Sequence, residues 1–589
     1  MSTQKIEIEN FDFTGLILKE PKKKAVGLPA IISSVKQAAK YMDPIDAFKL
    51  SLKINQKGGF DCPGCAWPDP DDDRSALGEY CENGMKAIAE EATKKSVTAA
   101  FFKKYSVAEI SKFSDFKMGK LGRLTEPMVL REGATHYEPI AWEDAFKLVA
   151  KELNALDSPD EAIFYTSGRT SNEAAYLYQL FIRSYGTNNL PDCSNMCHES
   201  SGVGLSHTLG IGKGSVTLND LHEAEVIMIM GQNPGTNHPR MLGALEKCKQ
   251  NGGKIITVNP LPEAGLLNFT DPQSPIKMIQ GGTLLTDVFA PVKVNGDVAF
   301  LKAIMLKLEK MEEANPGNIL DWDFIKEHTH GFDNFLADLK KEDVQHAISE
   351  SGVEESIIIE VAEMMATNDK IIICWAMGLT QQKNGVGNIQ EVVNLLLMRG
   401  AIGKPGAGTC PVRGHSNVQG DRTMGIWESP KEPFLAALDG VHGIQAPREH
   451  GYHVVSAIEA MKAGRGKVFF AMGGNFLSAS PDTHYTAYAL QNTVLTVHVS
   501  TKLNRSHLVT GKQALILPCL GRTDKDVQAD GEQFVSCENS MGVVQSSQGI
   551  LTPPNVLLKS EVAIVAEMAL ATLSDSRVNW IGMAGNYDK

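Results

Sequence analysis

Three cysteines near the N-terminus are spaced so that they could share one metal centre. Cys62 and Cys65 flank the dipeptide Pro63-Gly64, and Cys81 follows later in the chain. A two-residue gap lets two thiolates converge on one metal, and the Pro-Gly pair makes the turn between them. No second pair of this kind follows, as zinc would need, and the flanks lack the pattern of a redox dithiol. An iron–sulfur cluster is therefore favoured, with zinc, a dithiol and structural thiols as alternatives.

A second reactive thiol is Cys197, which is followed directly by His198. The small residues after Glu199 predict a helix start, so the thiol is expected at a helix N-terminus, where the helix dipole lowers a thiol pKa. Such a thiolate suits a transition metal or a nucleophile. The alternative is a buried free cysteine beside a capping histidine.

A third group of polar residues lies in the segment Gly403–Gly420, which carries Arg413, Asn417 and Gln419. Its dense glycines and amides disfavour a regular helix or strand and predict a long loop, and such loops are usually functional. The planar guanidinium of Arg413 suits a small carboxylate or oxyanion. Alternatively, Arg413 ties down the loop by bonding backbone carbonyls.

Short apolar runs that end in glycine or proline alternate with amphipathic runs from about Pro139 onward. This alternation is typical of α/β units on mostly parallel sheets. The pattern occurs in two related halves, with a helical segment near 296–366 between them. The predicted strands are Ala162–Gly168, Glu225–Gly231, Lys254–Pro260, Lys370–Gly378, Lys467–Gly474 and Thr493–His498.

The loops that follow these strands are where a ligand is expected. Open parallel sheets bind ligands outside the carboxyl ends of their strands. The loops in question begin at Gly168, Gly231, Asn259, Gly378 and Gly473. They are rich in Gly, Asn, Gln, Thr and Ser, which allow close backbone approach and supply neutral hydrogen bonds.

Composition excludes several classes of function. The 589 residues exceed what a single core needs, so several domains are expected. The formal net charge is −13, and the isolated basic run Lys22–Lys24 is no phosphate-binding face, which argues against a nucleic-acid partner. The ten cysteines are sparse and unevenly spaced, as reduced thiols or metal ligands are.

The sequence predicts a cytoplasmic protein. Its longest apolar runs, such as Val226–Met230, are far shorter than the roughly 20 residues that span a bilayer, so no transmembrane segment is expected. The N-terminal segment Met1–Glu9 has neither an apolar signal region nor a twin-arginine pair.

Taken in order and spacing, these segments resemble the molybdopterin oxidoreductases of the dimethyl-sulfoxide-reductase type. Within that family they are similar to the formate dehydrogenase alpha-subunit-like branch, and Gly58–Trp67 looks most like its acid-resistance-associated group. The most specific match is Pro411–Gly420, which is similar to the family's substrate-site loop. Further matches, similar to regions that line the pterin dinucleotides, are Gly231–Pro234, His238-Pro239, Met377–Gln381 and Gly531–Glu538.

The resemblance implies a role for each matched residue. Cys197 would ligate molybdenum, His198 would take or relay the substrate proton, and Arg413 would orient a small anionic substrate. Cys62, Cys65 and Cys81 would hold a 4Fe-4S cluster. The residues that would hold a molybdenum-bis(molybdopterin guanine dinucleotide) cofactor are Lys86, Gly231, Asn233, Asn259, Gly378, Thr380, Gln381, Asn417 and Gln419.

The resemblance also implies the architecture and the reaction. Residues 1–135 would form an iron–sulfur region and residues 136–589 the α/β domains, with halves at about 150–290 and 365–560 around the buried cofactor. The C-terminal dinucleotide-binding domain usual in such enzymes is expected to be absent. Formate would be oxidised to CO2, and electrons would leave through the cluster to an electron-carrier protein.

Three departures from the family pattern keep alternatives open. Asp69 stands where the third cluster cysteine is usual, so either Asp69 is a ligand or Cys81 and another group complete the site. His415 stands where formate dehydrogenases typically have Gln, and Asn259-Pro-Leu261 lacks the usual acidic residue and Arg. The alternatives are another small oxyanion or oxo-transfer substrate, or a cofactor-depleted relative acting in a stress response.

Overall fold

Two parallel β-sheets with helices packed against them form the body of the protein. The structure, a computed structural model, describes residues 5–12, 15–75 and 78–589, so part of the N-terminal segment Met1–Glu9 lies outside the described residues. The predicted α/β class with parallel sheets is confirmed. Within the described ranges, no helix combines the length and the apolar composition that crossing a membrane requires.

The first sheet has five strands, all parallel. The central run Val226–Met230 is apolar at every position and fully buried, because helices cover both faces of a parallel sheet. In spatial order, the strands are Val288–Ala290, Lys254–Val258, Val226–Met230, Ile371–Trp375 and Gly408–Pro411.

The second sheet has six strands, of which four are parallel. Met128–Leu130 runs antiparallel to this group of four, and the edge strand Glu138–Pro139, which is antiparallel to Met128–Leu130, runs in the same direction as the four. In spatial order, the strands are Glu138–Pro139, Met128–Leu130, Gln513–Pro518, Leu495–Ser500, Val468–Met472 and Ala162–Thr166.

Each sheet combines strands from both of the predicted halves. Ala162–Thr166 pairs with Val468–Met472, and Val226–Met230 pairs with Ile371–Trp375. The carboxyl ends of strands that are far apart in the chain therefore meet at one edge of each sheet.

The helices cover the sheets, and the predicted helical segment near 296–366 is confirmed. Within it, Asp297–Ala314 and Glu355–Ala366 pack into the core of the five-stranded sheet. The described helices of eight or more residues are Gly27–Tyr41, Pro44–Lys53, Glu82–Glu91, Trp142–Asn154, Asn172–Tyr185, Glu199–Leu209, Met241–Gln250, Asp297–Ala314, Phe332–Leu339, Val344–Ser351, Glu355–Ala366, Gly385–Met398, Glu432–His442, Val454–Lys462, Thr483–Gln491 and Glu561–Thr572.

The N-terminal cysteines belong to a small helical unit with its own core. Leu50, Phe60, Met85 and Ile88 are buried together, and Cys62 packs against this cluster. The four smaller sheets consist of Ala25–Val26 with Asn268–Thr270 and Thr283–Leu284, Ser96–Val97 with Arg123–Leu124, Asp526–Gln528 with Gly531–Gln533, and Val535–Glu538 with Val544–Ser547.

The prediction of an irregular loop over Gly403–Gly420 is wrong in part. Gly408–Pro411 is a strand, and Val418–Thr423 is a short helix. The strand forms because Gly408 and its three successors pair in register with the neighbouring strand Ile371–Trp375, so tertiary pairing overrides the local glycine content.

Candidate active site

Two glycines bring neighbouring loops into contact at the carboxyl ends of the five-stranded sheet. Gly231 follows Val226–Met230 with a φ of +56°, and Gly378 follows Ile371–Trp375. A Cβ on Gly231 would lie 2.8 Å from the backbone of Gly378, and one on Gly378 would lie 2.5 Å from Cα of Gly231. Only glycine fits here, because a side chain would force the two strand ends apart.

Cys197 is the last residue of the short helix Cys193–Cys197, one residue before the helix Glu199–Leu209 starts after His198, and it is held by the loop after one of these strands. Thr380 Oγ1 donates to the Cys197 carbonyl at 2.7 Å. The side chain is buried, and burial raises the pKa of its thiol to about 11, although the charge of Arg413 acts in the opposite direction. The predicted lowering of this pKa is therefore wrong, because Cys197 ends the helix Cys193–Cys197 and does not start one, and because desolvation outweighs the charge of Arg413.

His198 is fully buried beside Cys197, with one ring nitrogen engaged and the other free. Nδ1 lies 3.1 Å from Ser201 Oγ, which in turn accepts a hydrogen bond from Trp375 Nε1 at 2.9 Å. No hydrogen bond of normal geometry reaches Nε2. Burial, reinforced by the charge of Arg413, lowers the pKa of His198 well below its usual value, so the imidazole is neutral.

Arg413 reaches His198 from the segment after the strand Gly408–Pro411. Its Nη2 donates to the Gly212 carbonyl at 2.8 Å, and Nη1 donates to the His198 carbonyl at 3.4 Å. Nε is buried and has no partner. These contacts with carbonyls are what the alternative predicted, in which Arg413 only secures the loop. They leave the Nε donor without an acceptor and the guanidinium charge without an anion.

Asn417 and Gln419 fasten the same segment to a distant strand. Asn417 Oδ1 accepts from the backbone N–H of Glu538 at 2.6 Å, and its Nδ2 donates to the Thr170 carbonyl at 2.6 Å. Gln419 Nε2 donates to Glu538 Oε1 at 2.9 Å, while its own Oε1 is buried without a partner. Asn417 is therefore a structural clamp, and Gln419 keeps an acceptor available.

A cavity of about 730 Å³ opens at the carboxyl ends of the six-stranded sheet. Cys193 and His415 line it, and His415 Nδ1 lies 3.1 Å from Cys193 Sγ. Burial, helped by the charge of Arg169, lowers the pKa of His415 to about 4. Two of the loops around it, Ser167–Arg169 and Gly473–Asn475, are among those where the sequence predicted a ligand, whereas Thr501–Leu503 and Cys519–Arg522 were not predicted.

A larger cavity, of about 1410 Å³, lies between the N-terminal helical unit and the five-stranded sheet. Cys81 and Asn233 both line it. Asn233 donates to Glu263 Oε2 at 2.7 Å and accepts from the Thr236 N–H, so it shapes the loop after its strand. This cavity reaches the loops after two strands of the five-stranded sheet and extends along the helices that precede those strands.

The remaining predicted cofactor residues have backbone or surface roles. Asn259 exchanges hydrogen bonds with the backbone of Gln232, at 3.1 and 2.9 Å, and joins two strand ends. Gln381 Nε2 donates to the Met196 carbonyl at 2.7 Å, directly before Cys197. Lys86 forms a half-exposed ion pair with Glu82 at 2.6 Å.

Two of the three N-terminal cysteines, Cys62 and Cys81, turn their sulfurs toward Gly84. A Cβ on Gly84 would lie 3.1 Å from Cys62 Sγ and 3.9 Å from Cys81 Sγ, so both sulfurs turn toward this glycine. Burial, reinforced by Cys81, raises the pKa of the Cys65 thiol to about 11. In the described part of the chain, no group of three or more His, Cys, Asp or Glu side chains is arranged to hold a single metal ion.

The Asp69 carboxylate, one of the alternative cluster ligands, is used by arginines. Oδ1 lies 2.8 Å from Arg240 Nη1, and Oδ2 lies 4.0 Å from Arg74 Nη1. Arg240 also binds Glu79 at 2.9 Å. This network joins the cysteine segment to the five-stranded sheet, which favours the alternative in which Cys81 and another group complete the site.

The sequence reasoning did not identify Ser201 and Trp375 as partners that orient the catalytic candidates, and it named His238 only as part of the matched segment His238-Pro239. Ser201 and Trp375 hold His198, and His238 Nε2 contacts the Arg413 carbonyl at 2.8 Å. The signal for Trp375 was its place as the last residue of a strand. Ser201 offered none, because serine is common in a helix of small residues.

Known proteins resemble this chain in both sequence and fold. Residues 123–509 match the family described as molybdopterin oxidoreductase. An uncharacterized oxidoreductase of Mycobacterium tuberculosis is 51% identical and covers 99% of this chain and 75% of its own length. Protein YdeP of Escherichia coli is 45% identical and covers 96% and 75%.

Two more distant proteins complete the comparison. A formate dehydrogenase alpha subunit of Methanococcus maripaludis is 29% identical over 69% of this chain and 56% of its own. The structure of acetylene hydratase from Pelobacter acetylenicus aligns with a TM-score of 0.58 and 17% identity, covering 79% of this chain and 64% of that one, and shows the shared fold alone. The chain belongs to the molybdopterin oxidoreductase family, as its sequence predicted.

The residues around Cys197 fit a bound molybdenum-pterin cofactor. Three buried polar atoms here have no partner: His198 Nε2, Arg413 Nε and Gln419 Oε1. Buried polar groups are normally hydrogen-bonded, so such orphans indicate a ligand. The cavity at the carboxyl ends of the six-stranded sheet is also lined by Cys193 and Met196, so it adjoins this site.

Proposed function

We propose that this protein is a formate dehydrogenase-like oxidoreductase that carries molybdenum-bis(molybdopterin guanine dinucleotide) and a 4Fe-4S cluster. Cys197 is the proposed metal ligand, and Cys62, Cys65 and Cys81 are proposed cluster ligands. Electrons from formate would leave through the cluster to an electron-carrier protein. The small anionic substrate is the part of the proposal that the geometry supports most directly.

The supporting observation is a buried guanidinium with no carboxylate partner. Three of the five arginines buried in the described structure, Arg123, Arg399 and Arg505, have a carboxylate within 4.0 Å. Arg183 has none, but Gln179, Asn188 and two carbonyls accept all its nitrogens.

Arg413 differs from all of them, because it lacks a carboxylate and keeps Nε free. A buried charge is costly unless it is paired, and burial accordingly lowers the pKa of Arg413. A planar anion would accept hydrogen bonds from the guanidinium of Arg413 and would neutralise its charge at the same time. Formate is the smallest carboxylate that fits this description.

His198 is placed to handle a proton beside that anion. Its Nε2 is free, and Ser201 can either donate to Nδ1 or accept from it, because a hydroxyl rotates. The imidazole can therefore take a proton at Nε2 without turning. The bound cofactor would supply the two-electron step, while Arg413 holds the anion and His198 receives the proton.

Cofactor analysis and one substitution test the proposal together. Protein purified anaerobically from a molybdenum-replete host should contain iron, molybdenum or tungsten, and a pterin that fluoresces after oxidation. It should also reduce a dye with formate. Cys197→Ala should nearly abolish turnover at any formate concentration, because the loss of a metal thiolate changes the redox centre itself.

Three results would contradict the proposed function or part of it. If the protein contained neither metal nor pterin, the cofactor-depleted stress-response alternative would replace the proposal. Wild-type kinetics in Cys197→Ala would remove the metal assignment. Turnover of nitrate or a small N- or S-oxide, but not formate, would favour the second candidate function, the conversion of another small oxyanion or an oxo-transfer substrate. This candidate is supported by His415, which contacts Cys193 and stands where formate dehydrogenases typically have Gln.

A further inference from the structure

Arg422 connects the two chain segments on either side of Cys197 and His198. Its Nε and Nη2 bind the two carboxylate oxygens of Asp192 at 3.0 and 2.8 Å. Nη2 also donates to Oε2 of Glu199 at 2.5 Å. One planar guanidinium thus holds the residue that caps the short helix ending at Cys197 and the residue that follows His198.

The two carboxylates are also joined through Asn195. Asp192 accepts from the Asn195 N–H at 3.3 Å, and Asn195 Oδ1 accepts in return from the Asp192 N–H at 3.2 Å. Asn195 Nδ2 donates to Glu199 Oε2 at 3.2 Å. The turn at Cys197 is therefore enclosed in a ring of hydrogen bonds that Arg422 closes.

The ring has one fully buried charge, Asp192, while Arg422 and Glu199 are partly exposed. Asp192 is fully buried, and burial raises the pKa of its carboxyl to about 6, although Arg422 opposes the rise. Burial acts to lower the pKa of Arg422, but the charges of Asp192 and Glu199 outweigh it and raise that pKa. Buried ion pairs often add little net stability, and a role in fixing one geometry accounts better for this one.

Arg422 also links the turn to the segment that carries Arg413. It lies in the short helix Val418–Thr423, which directly follows Asn417. Asn417 is itself clamped to the six-stranded sheet side of the protein through Thr170. The contact with Asp192 and Glu199 therefore joins the two segments whose side chains must meet at the substrate.

We propose that Arg422 is a positioning residue that fixes Cys197 and His198 relative to Arg413. The proposal rests on the proposed function for the meaning of that geometry. A lysine at this position would keep the charge but could not bind Asp192 at two points and Glu199 at a third. The turn would then be free to shift, and the groups that it carries would lose their alignment.

The test compares Arg422→Lys with a matched control, Arg448→Lys. Arg448 also bridges two carboxylates, Glu432 at 3.0 Å and Asp439 at 2.8 Å, but it lies at the surface. Both substitutions remove the same planar fork from the same kind of bridge. Only Arg422→Lys affects the turn at Cys197.

Two measurements separate positioning from mere folding. In loaded enzyme, kcat of Arg422→Lys should fall by roughly 10- to 100-fold with little change in KM, because misplacement of reacting groups by about 1 Å costs rates of this order. In protein prepared without molybdenum, iodoacetamide should label Cys197 about tenfold faster than in the control, as expected when the turn opens locally. Peptide mass spectrometry would identify the labelled cysteine.

A fall in activity that tracked only the thermal stability or the metal content, with unchanged Cys197 labelling, would overturn the proposal. If Arg422→Lys fails to fold, Glu199→Ala decides, since it keeps the two-point contact with Asp192. It should show the same two effects at smaller size, and unchanged values would again overturn the proposal. Failure of the proposed function would appear separately, as wild-type protein without metal or pterin, and the labelling comparison would still decide the role of Arg422.

Discussion

Replacing Arg413 tests whether its free charge binds substrate or only secures the loop. Arg413→Met keeps most of the side-chain volume but removes the charge and every donor. Arg413→Lys keeps the charge but removes the planar fork. The two variants should therefore differ in activity more than in stability.

The expected magnitudes follow from the contacts of Arg413. A charge-assisted hydrogen bond to a carboxylate contributes on the order of 1.5–3 kcal/mol, so Arg413→Met should lower kcat/KM by roughly 10- to 150-fold. Its folding cost should be small, because the lost bonds to the Gly212 and His198 carbonyls are offset by removal of an unpaired buried charge. Arg413→Lys should recover part of the activity.

The assay is formate-dependent dye reduction at saturating dye, with thermal unfolding measured on the same preparations. The thermal midpoint serves as the control, because a loop-securing role would lower stability and activity together. Unchanged kcat/KM in Arg413→Met would refute the reasoning and leave Arg413 with its two backbone contacts alone.

Three further predictions address the cluster, the strand ends and a buried histidine. The double substitution of Cys62 and Cys65 by Ser should remove the iron–sulfur absorption band and electron transfer to dyes but leave most of the fold, since Cys62 packs against a separate small core and Cys65 lies only at the margin of a core of the five-stranded sheet; a full band would exclude both ligands. Gly231→Ala should lower the free energy of unfolding in urea by on the order of 2 kcal/mol more than Gly252→Ala, because a Cβ on Gly231 meets backbone at 2.8 Å whereas Gly252, also at positive φ, has open space; equal effects would contradict the packing argument. Burial lowers the pKa of His507 to about 4, below the pKa of a histidine in the unfolded chain. The contribution of neutral His507 to stability is therefore complete above the unfolded pKa and is lost as the pH falls from there toward about 4. Between pH 6.5 and 4 this loss amounts to at most about 1.4 kcal/mol per pH unit, and stability measured against pH should show it in wild type but not in His507→Asn; parallel curves would refute it.

Much of the fold could be predicted because each of its main strands is encoded by a short continuous run of residues. Runs such as Val226–Met230 and Ile371–Trp375 are continuous and apolar, which is typical of strands buried on both faces. All six predicted strands formed. Gly408–Pro411 was missed, since four residues with glycine and proline at the ends carry no periodic signal, and only the pairing with the neighbouring strand makes them extended.

The candidate site was predicted as residue types, and its contacts were not. Cys197, His198 and Arg413 were chosen from motif and resemblance, and the structure brings them together. Arg422 lies two residues beyond the predicted segment Gly403–Gly420, and its partner Asp192 is 230 positions away in the chain, so no local pattern indicated the contact.

The sequence by itself determined the α/β class, the family and the identity of the chemical groups, because apolar runs and motif spacings are local properties of the chain. The tertiary structure decided which strands pair across the two predicted halves, and therefore which loops share one edge. It also decided the electrostatics. Burial makes the Cys197 thiol a weaker acid than a position at a helix terminus alone would make it. The fold also places no carboxylate close enough to pair with the buried Arg413. Desolvation depends on everything that surrounds a group, and no short stretch of sequence contains that information.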